Sequence, residues 1–401
     1  MKEYLLTIEY LFIYLFIGVF LLTLFILPRI RENSLKFGLY DSPDFRSSHS
    51  KIVPSFGGIS FFVSLIFTLF FFQKYDNQKI TVSIIVALTI MFFIGLKDDF
   101  RSLTPRKKFL GQIIAVFLLM IQPEFRIDTF HGFLGIQEIN PILSVSLSVF
   151  LLIGLINAYN LIDGIDGMAS IVGIIIASCF GFLFFKLNLF IYCVALVSML
   201  FAFLRFNFSN KKKIFMGDTG SLVVGLVLGF LTMKLLSLGV GTYNAIAISR
   251  TEIPLLILAV LIIPTFDISR VMFIRFVKKK SIFSPDRNHI HHILIDSGLT
   301  HAKASVLIGF INLFIVFLMY YSIKYVGLVL SFGTLFLIIA FLILFFFILN
   351  KNYSNKKTKV RFRNFLFELS NFFISKNKKG VYNQNKIHFN KKLKSIRFLF
   401  F

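Results

Sequence analysis

Apolar runs of about 17–25 residues recur along this chain, and each is long enough to cross a hydrocarbon core of roughly 30 Å as a helix. Lipid offers no partner to backbone N–H and C=O groups, so the helix is the only open-ended way across. The runs fall at roughly 5–28, 58–73, 80–96, 109–122, 143–160, 169–186, 188–205, 219–237, 253–273, 304–324 and 327–349. They predict an all-α integral membrane protein with about eleven transmembrane helices. With 57% hydrophobic residues and a mean hydropathy of +0.82, a soluble domain is excluded. One membrane domain is expected over residues 1–350. A basic tail, disordered or lying on the membrane surface, is expected over 351–401.

Charge sets the expected orientation. Arg29, Arg31, Lys36, Arg46 and Lys51 follow the first run; Lys97, Arg101, Arg106, Lys107 and Lys108 follow the third. Arg205, Lys211 to Lys213, Arg270, Arg275, Lys278 to Lys280, Arg287 and Lys303 fall in later loops of the same set. The opposite loops hold scattered cations such as Lys74, Lys79, Arg126 and Arg250. The positive-inside rule puts the first set in the cytoplasm, the N-terminus outside and the C-terminus in the cytoplasm. The same distribution accounts for the net charge of +24 without nucleic acid. Cys179 and Cys193 lie in apolar runs, with no zinc spacing.

Five polar stretches share the cytoplasmic set of loops. The first is Asp41–His49, followed by Pro54 and Gly57-Gly58; its Arg46 and His49 suit an anion, or the stretch is a connecting loop. In the second, Asp98 and Asp99 are adjacent between Lys97 and Arg101. Paired carboxylates suit a divalent cation or proton transfer, and Lys108 nearby could hold phosphate oxygens or anchor the loop.

The third, Asn157-Ala-Tyr-Asn-Leu-Ile-Asp-Gly-Ile-Asp-Gly167, is the most informative. Asn157 and Asn160 share a helix face, and Gly164 and Gly167 place Asp163 and Asp166 on a tight turn. Such oxygens suit a hard cation or a sugar nucleotide. A helix C-cap would explain the Asn and Gly but not two acids with no neighbouring cation. In the fourth, Phe215–Ser221, Asp218 opens a helix, where it could cap the turn or carry a divalent metal. The fifth, Phe283–His292, joins Arg287 to His289, His291 and His292. No Cys is near, so phosphate or sugar recognition fits better than a transition metal. Asp267, inside the ninth run, is either paired with Arg270 or catalytic.

GLKDDF, NAYNLIDGIDG, FMGDTGS and SPDRNHIHH, in that order, resemble the polyprenyl-phosphate N-acetylhexosamine-1-phosphate transferases, which include the MraY and WecA/TagO types. The resemblance covers about residues 1–350, and the His-Ile-His-His spacing is similar to the WecA/TagO branch. It implies transfer of N-acetylhexosamine 1-phosphate, with GlcNAc 1-phosphate expected, from a UDP-N-acetylhexosamine to undecaprenyl phosphate. UMP would be released and a lipid-linked cell-surface glycan begun.

The resemblance implies Asp218 as the leading Mg²⁺ ligand with Asn160 as a second, Mn²⁺ being an alternative ion. It implies Asp98 as the base that deprotonates the prenyl phosphate, assisted by Asp99. Asn157, Asp163, Asp166, Lys108, Arg287, His289, His291 and His292 would bind substrate. The expected place is the bacterial inner membrane with the site facing the cytoplasm, in contact with membrane lipid and compatible with a homodimer. A transporter of ions or lipid-linked sugars is the alternative, but polar motifs confined to one face argue against it.

Overall fold

A computed structural model describes residues 2–40, 53–72, 78–185, 187, 189–238, 249–281 and 287–375. The Asp41–His49 stretch and Phe283–Asp286 lie outside the described residues. The helices run in chain order as α1 (Lys2–Lys36), α2 (Gly58–Phe72), α3 (Gln78–Phe100), α4 (Pro105–Leu119) and α5 (Pro141–Ile162). They continue as α6 (Met168–Phe184), α7 (Phe190–Asn207), α8 (Gly217–Ser237), α9 (Ile253–Val260) and α10 (Ile262–Val277). The last three are α11 (Ile290–Asp296), α12 (His301–Val326) and α13 (Leu328–Ser375). Among the described residues the only β pairing is an isolated bridge between Thr129 and Glu138.

Among the described residues seven helices are long and apolar enough to cross a membrane: α1, α3, α5, α7, α8, α12 and the part of α13 up to Lys351. The chain is therefore an α-helical, multi-pass membrane protein. The ninth apolar run is broken into α9 and α10, which meet at 70° and count as an eighth span only if taken together. Pro264 explains the break: it has no N–H, and its ring opposes the carbonyl four residues back, at Val260, the last residue of α9. The other three runs are also helical but short. α2 and α4 have 15 residues each and α6 has 17. At 1.5 Å per residue, 15 residues reach only about 22 Å. Large exposed side chains such as Ile142, Phe150, Phe273 and Phe336 suit a lipid-facing surface.

The chain divides after Phe346 into two compact units, and everything that follows belongs to the first. At its centre is α8, buried from Thr219 to Met233 and packed on α2, α3 and α5. Small residues make these contacts close. A Cβ at Gly58 would strike the backbone of Gly220, and one at Gly95 would lie 2.5 Å from Thr219 Cα. A Cβ on Gly225 would sit 3.1 Å from Ile156 Cα. In lipid, where apolar burial no longer drives helices together, such backbone approach is a main source of cohesion. The packing brings the ends of α3, α5 and α7 and the starts of α4, α6, α8 and α12 to one end of the bundle.

Candidate active site

The N-terminus of α8 is held by a carboxylate from α3. Asp99 accepts hydrogen bonds from the backbone N–H of Asp218 (2.7 Å) and Thr219 (2.9 Å), and from the Thr219 hydroxyl. These satisfy donors that a helix start leaves unpaired. Gly217 has φ +70°, and a Cβ there would press on the Ser55 carbonyl and lie 2.6 Å from Asp99 Oδ2. The segment 54–58 binds alongside: Phe215 N–H donates to the Pro54 carbonyl (2.8 Å), and Gly58 N–H to the Met216 carbonyl (2.9 Å).

This frame aims Asp218 at Lys108. The Lys108 ammonium lies 2.9 Å from Asp218 Oδ1 and 3.0 Å from Asp98 Oδ2, bridging the two carboxylates. Asp98 also accepts from Leu103 N–H (2.6 Å). The Asn160 amide donates to Asp218 Oδ1 (2.5 Å) and to the Ser221 hydroxyl (2.7 Å). Its nitrogen, not its oxygen, thus faces Asp218. Asn157, one turn earlier, instead makes a reciprocal amide pair with buried Gln112 (2.8 and 3.3 Å) and does not line the cavity described below.

The second wall is the turn after α5. Gly164 lies flat against the His291 ring, leaving no room for a Cβ. Gly167, at φ +80°, starts α6 and donates its N–H to Asn207 Oδ1 (2.6 Å). Asp166 Oδ2 lies 2.5 Å from Lys213 Nζ and 2.9 Å from His301 Nδ1, and Ser305 donates to its backbone carbonyl (2.7 Å). Burial alone would raise the Asp166 carboxyl, but hydrogen bonds and charge from His301 and Lys213 outweigh it and hold it below the usual range. Asp163 has the opposite surroundings. Burial first, then the negative charges of Asp218, Asp99 and Asp166, push it up to about 7. Among the described residues no cation pairs with it.

The histidine segment closes the site. Buried Asp267 on α10 accepts from Ile290 N–H (2.9 Å) at the start of α11 and meets His289 Nδ1 at 2.8 Å. Arg270 lies 3.6 Å away and reaches the Asn288 carbonyl. Asp267 is therefore the anchor of this segment. His289 is buried behind it, off the cavity, whereas His291 and His292 line it. Burial, then neighbouring positive charge, lowers both, His291 well below the ordinary histidine value. His291 Nδ1 is buried with no hydrogen-bond partner. Arg287 is exposed, pairs with Asp296 at 3.4 Å, and does not line the cavity.

The result is a cavity of about 510 Å³ lined by Asp98, Asp99, Asp163, Asp166 and Asp218 together with His291, His292 and His301. Of the substrate and metal residues read from sequence, Lys108 joins this group through its ion pairs; Asn157, Arg287 and His289 stand back from it. Lys213, His301 and Ser305 were not legible: Lys213 hides in a run of lysines and His301 follows the histidine segment with no motif of its own. No three His, Cys, Asp or Glu side chains among the described residues form a ready metal cluster. The donor set still suits a hard divalent ion of the Mg²⁺ kind, which takes one or two carboxylates and leaves the rest of its shell to water and phosphate. Asp163, raised by burial and then by neighbouring carboxylates, fits a place where a cation belongs.

The glycosyl transferase family 4 model matches residues 81–236, which hold all five aspartates that line the cavity. A protein of Bacillus subtilis (strain 168), named probable undecaprenyl-phosphate N-acetylglucosaminyl 1-phosphate transferase, is 32% identical over 303 residues. That covers 74% of this chain and 81% of the relative. Undecaprenyl-phosphate alpha-N-acetylglucosaminyl 1-phosphate transferases of Salmonella typhi and Escherichia coli (strain K12) are each 29% identical, across 73% of this chain and 78% of theirs. These three relatives are named as transferases, and none as a transporter.

Proposed function

This chain belongs to glycosyl transferase family 4, and we propose that it transfers N-acetylglucosamine 1-phosphate from UDP-N-acetylglucosamine to undecaprenyl phosphate, releasing UMP. The observation that carries the reading is the convergence of Asp98, Asp163, Asp218, Lys108 and His291 from five separate segments on one cavity at one end of the bundle. Such a group suits a diphosphate between a membrane lipid and a water-soluble nucleotide. In this reading the cavity faces the cytoplasm of a bacterial inner membrane, with the N-terminus outside, the basic C-terminus inside and eleven segments embedded. The positive-inside distribution of Lys and Arg supports that orientation.

A lipid phosphate oxygen attacks the phosphorus that carries the sugar. The bond from that phosphorus to the oxygen bridging to uridine's phosphate breaks, and UMP leaves with the electron pair. Little covalent chemistry falls to the protein, so positioning and charge dominate. Mg²⁺ held by Asp218 and Asp163 would neutralise the diphosphate and polarise the phosphorus under attack. Asn160 and the Asp99-capped start of α8 fix the aim of Asp218. Lys108, free to swing on its long stem once its carboxylates gain another cation, would hold a phosphate oxygen. Asp98 would take the proton of a lipid phosphate that arrives as the monoanion. His291, kept neutral and with Nδ1 unspent, would give or accept one hydrogen bond to the donor.

A panel of UDP-sugars offered to the purified protein in liposomes with undecaprenyl phosphate tests this. Mass spectrometry should find a prenyl-diphosphate N-acetylhexosamine, formed with added Mg²⁺ and absent with EDTA. Product formation in EDTA would remove the metal from the account.

A further inference from the structure

His301 stands in the cavity without belonging to any of the polar stretches read from sequence. It is the first residue of α12, whose start Thr300 caps. Its Nδ1 lies 2.9 Å from Asp166 Oδ2, and it lines the same cavity as His291 and His292.

One role for it is to steady Asp166, but the turn is already steadied elsewhere. Lys213 meets the same Oδ2 at 2.5 Å and supplies the compensating charge. Ser305 holds the Asp166 carbonyl and Asn207 holds the next N–H. The pair therefore does as much to orient the imidazole as to orient the carboxylate. An ionised carboxylate can only accept, so Nδ1 carries the hydrogen and Nε2 is the atom left for a ligand. That leaves Nε2 one hydrogen bond for whatever fills this side of the cavity.

We propose that His301 is a substrate-binding residue of the donor site, where Nε2 makes one hydrogen bond to the sugar nucleotide. This rests on the UDP-sugar reading given above.

The test is equilibrium binding of UDP-N-acetylglucosamine to the full-length protein in nanodiscs, alongside UMP release. Three variants are compared: His301→Ala, His301→Asn and His301→Gln. Asn can place an amide N–H near Nδ1 and keep the contact with Asp166, but offers nothing at Nε2. Ala and Asn should both weaken donor binding by about 10- to 100-fold, as for loss of one buried hydrogen bond to substrate. The KM for undecaprenyl phosphate should stay unchanged. Gln, which reaches further, should recover part of the loss. Wild-type donor affinity in His301→Asn would show that the histidine only positions Asp166 and would overturn the proposal. So would an equal rise in KM for both substrates. A variant that does not fold is recognised by its melting profile, and the other two then decide. A wild type that binds UDP-N-acetylglucosamine without releasing UMP would overturn the transferase reading while the binding comparison still judged His301. A wild type that binds no UDP-sugar would overturn both.

Discussion

Asp163 and Asp166 sit three residues apart on one turn, in opposite surroundings. Asp166 has Lys213 and His301 within 2.9 Å and is held ionised. Asp163 is pushed up to about 7 by burial first and then by three other carboxylates. The same contrast divides the cavity. Around Asp166 every charge is answered, and at the start of α8 the hydrogen bonds to Asp99 pin the backbone. Around Asp163 and His291, acceptors and donors await partners the chain does not supply. A fold this well matched elsewhere carries such an unrelieved corner where a ligand completes it.

Removing a cation from the matched side should do the most damage. Lys108→Met leaves Asp98 and Asp218 together without their shared partner, which should cost about 3–5 kcal/mol of stability and most of the activity. Thermal unfolding in detergent with and without Mg²⁺ separates the two effects: added metal should restore part of the melting temperature. A melting temperature equal to wild type would show that the bridge carries little. Next in size is Gly217→Ala, where a Cβ meets Ser55 and Asp99 in a left-handed conformation. It should destabilise by about 1–3 kcal/mol, with Asp218 displaced and activity lost out of proportion to the loss in melting temperature.

On the unanswered side the change should have the opposite sign. Asp163 has a folded value of about 7, above its unfolded value near 3.9. Between these the native state holds a proton that the unfolded state has released. Stability from this group is therefore present at low pH and lost as pH rises through about 7. In EDTA, Asp163→Asn should melt higher than wild type at pH 8 and about equally at pH 4. A variant less stable than wild type at pH 8 would mean that Asp163 is compensated after all.

Much of this was legible in the chain. Helical spans follow from the length of apolar runs, and the acids of the site from their place in polar loops between them. The break after Val260 was readable only in hindsight from Pro264, because an apolar run looks the same on both sides of a kink. Long-range pairing was not legible at all. Nothing near Asp267 in sequence announces His289, 22 residues on, and nothing near Asp166 announces His301, 135 residues on. Asp98 and Asp99 look alike in sequence, yet one binds Lys108 and the other caps α8, since successive side chains on a helix point in different directions. Arg287 and Asn157 looked like site residues by company alone, but their side chains turn to Asp296 and Gln112.

The central claim is that the cavity around Asp218 is where a sugar phosphate changes carriers. UMP release from UDP-N-acetylglucosamine tests it most directly, measured in one liposome preparation for wild type and Asp218→Asn, with and without undecaprenyl phosphate. The account predicts release only from wild type and only with the lipid, and a fall of at least about 1,000-fold in the variant, roughly 4 kcal/mol of transition-state stabilisation. An Asp218→Asn protein that releases UMP at the wild-type rate would contradict it.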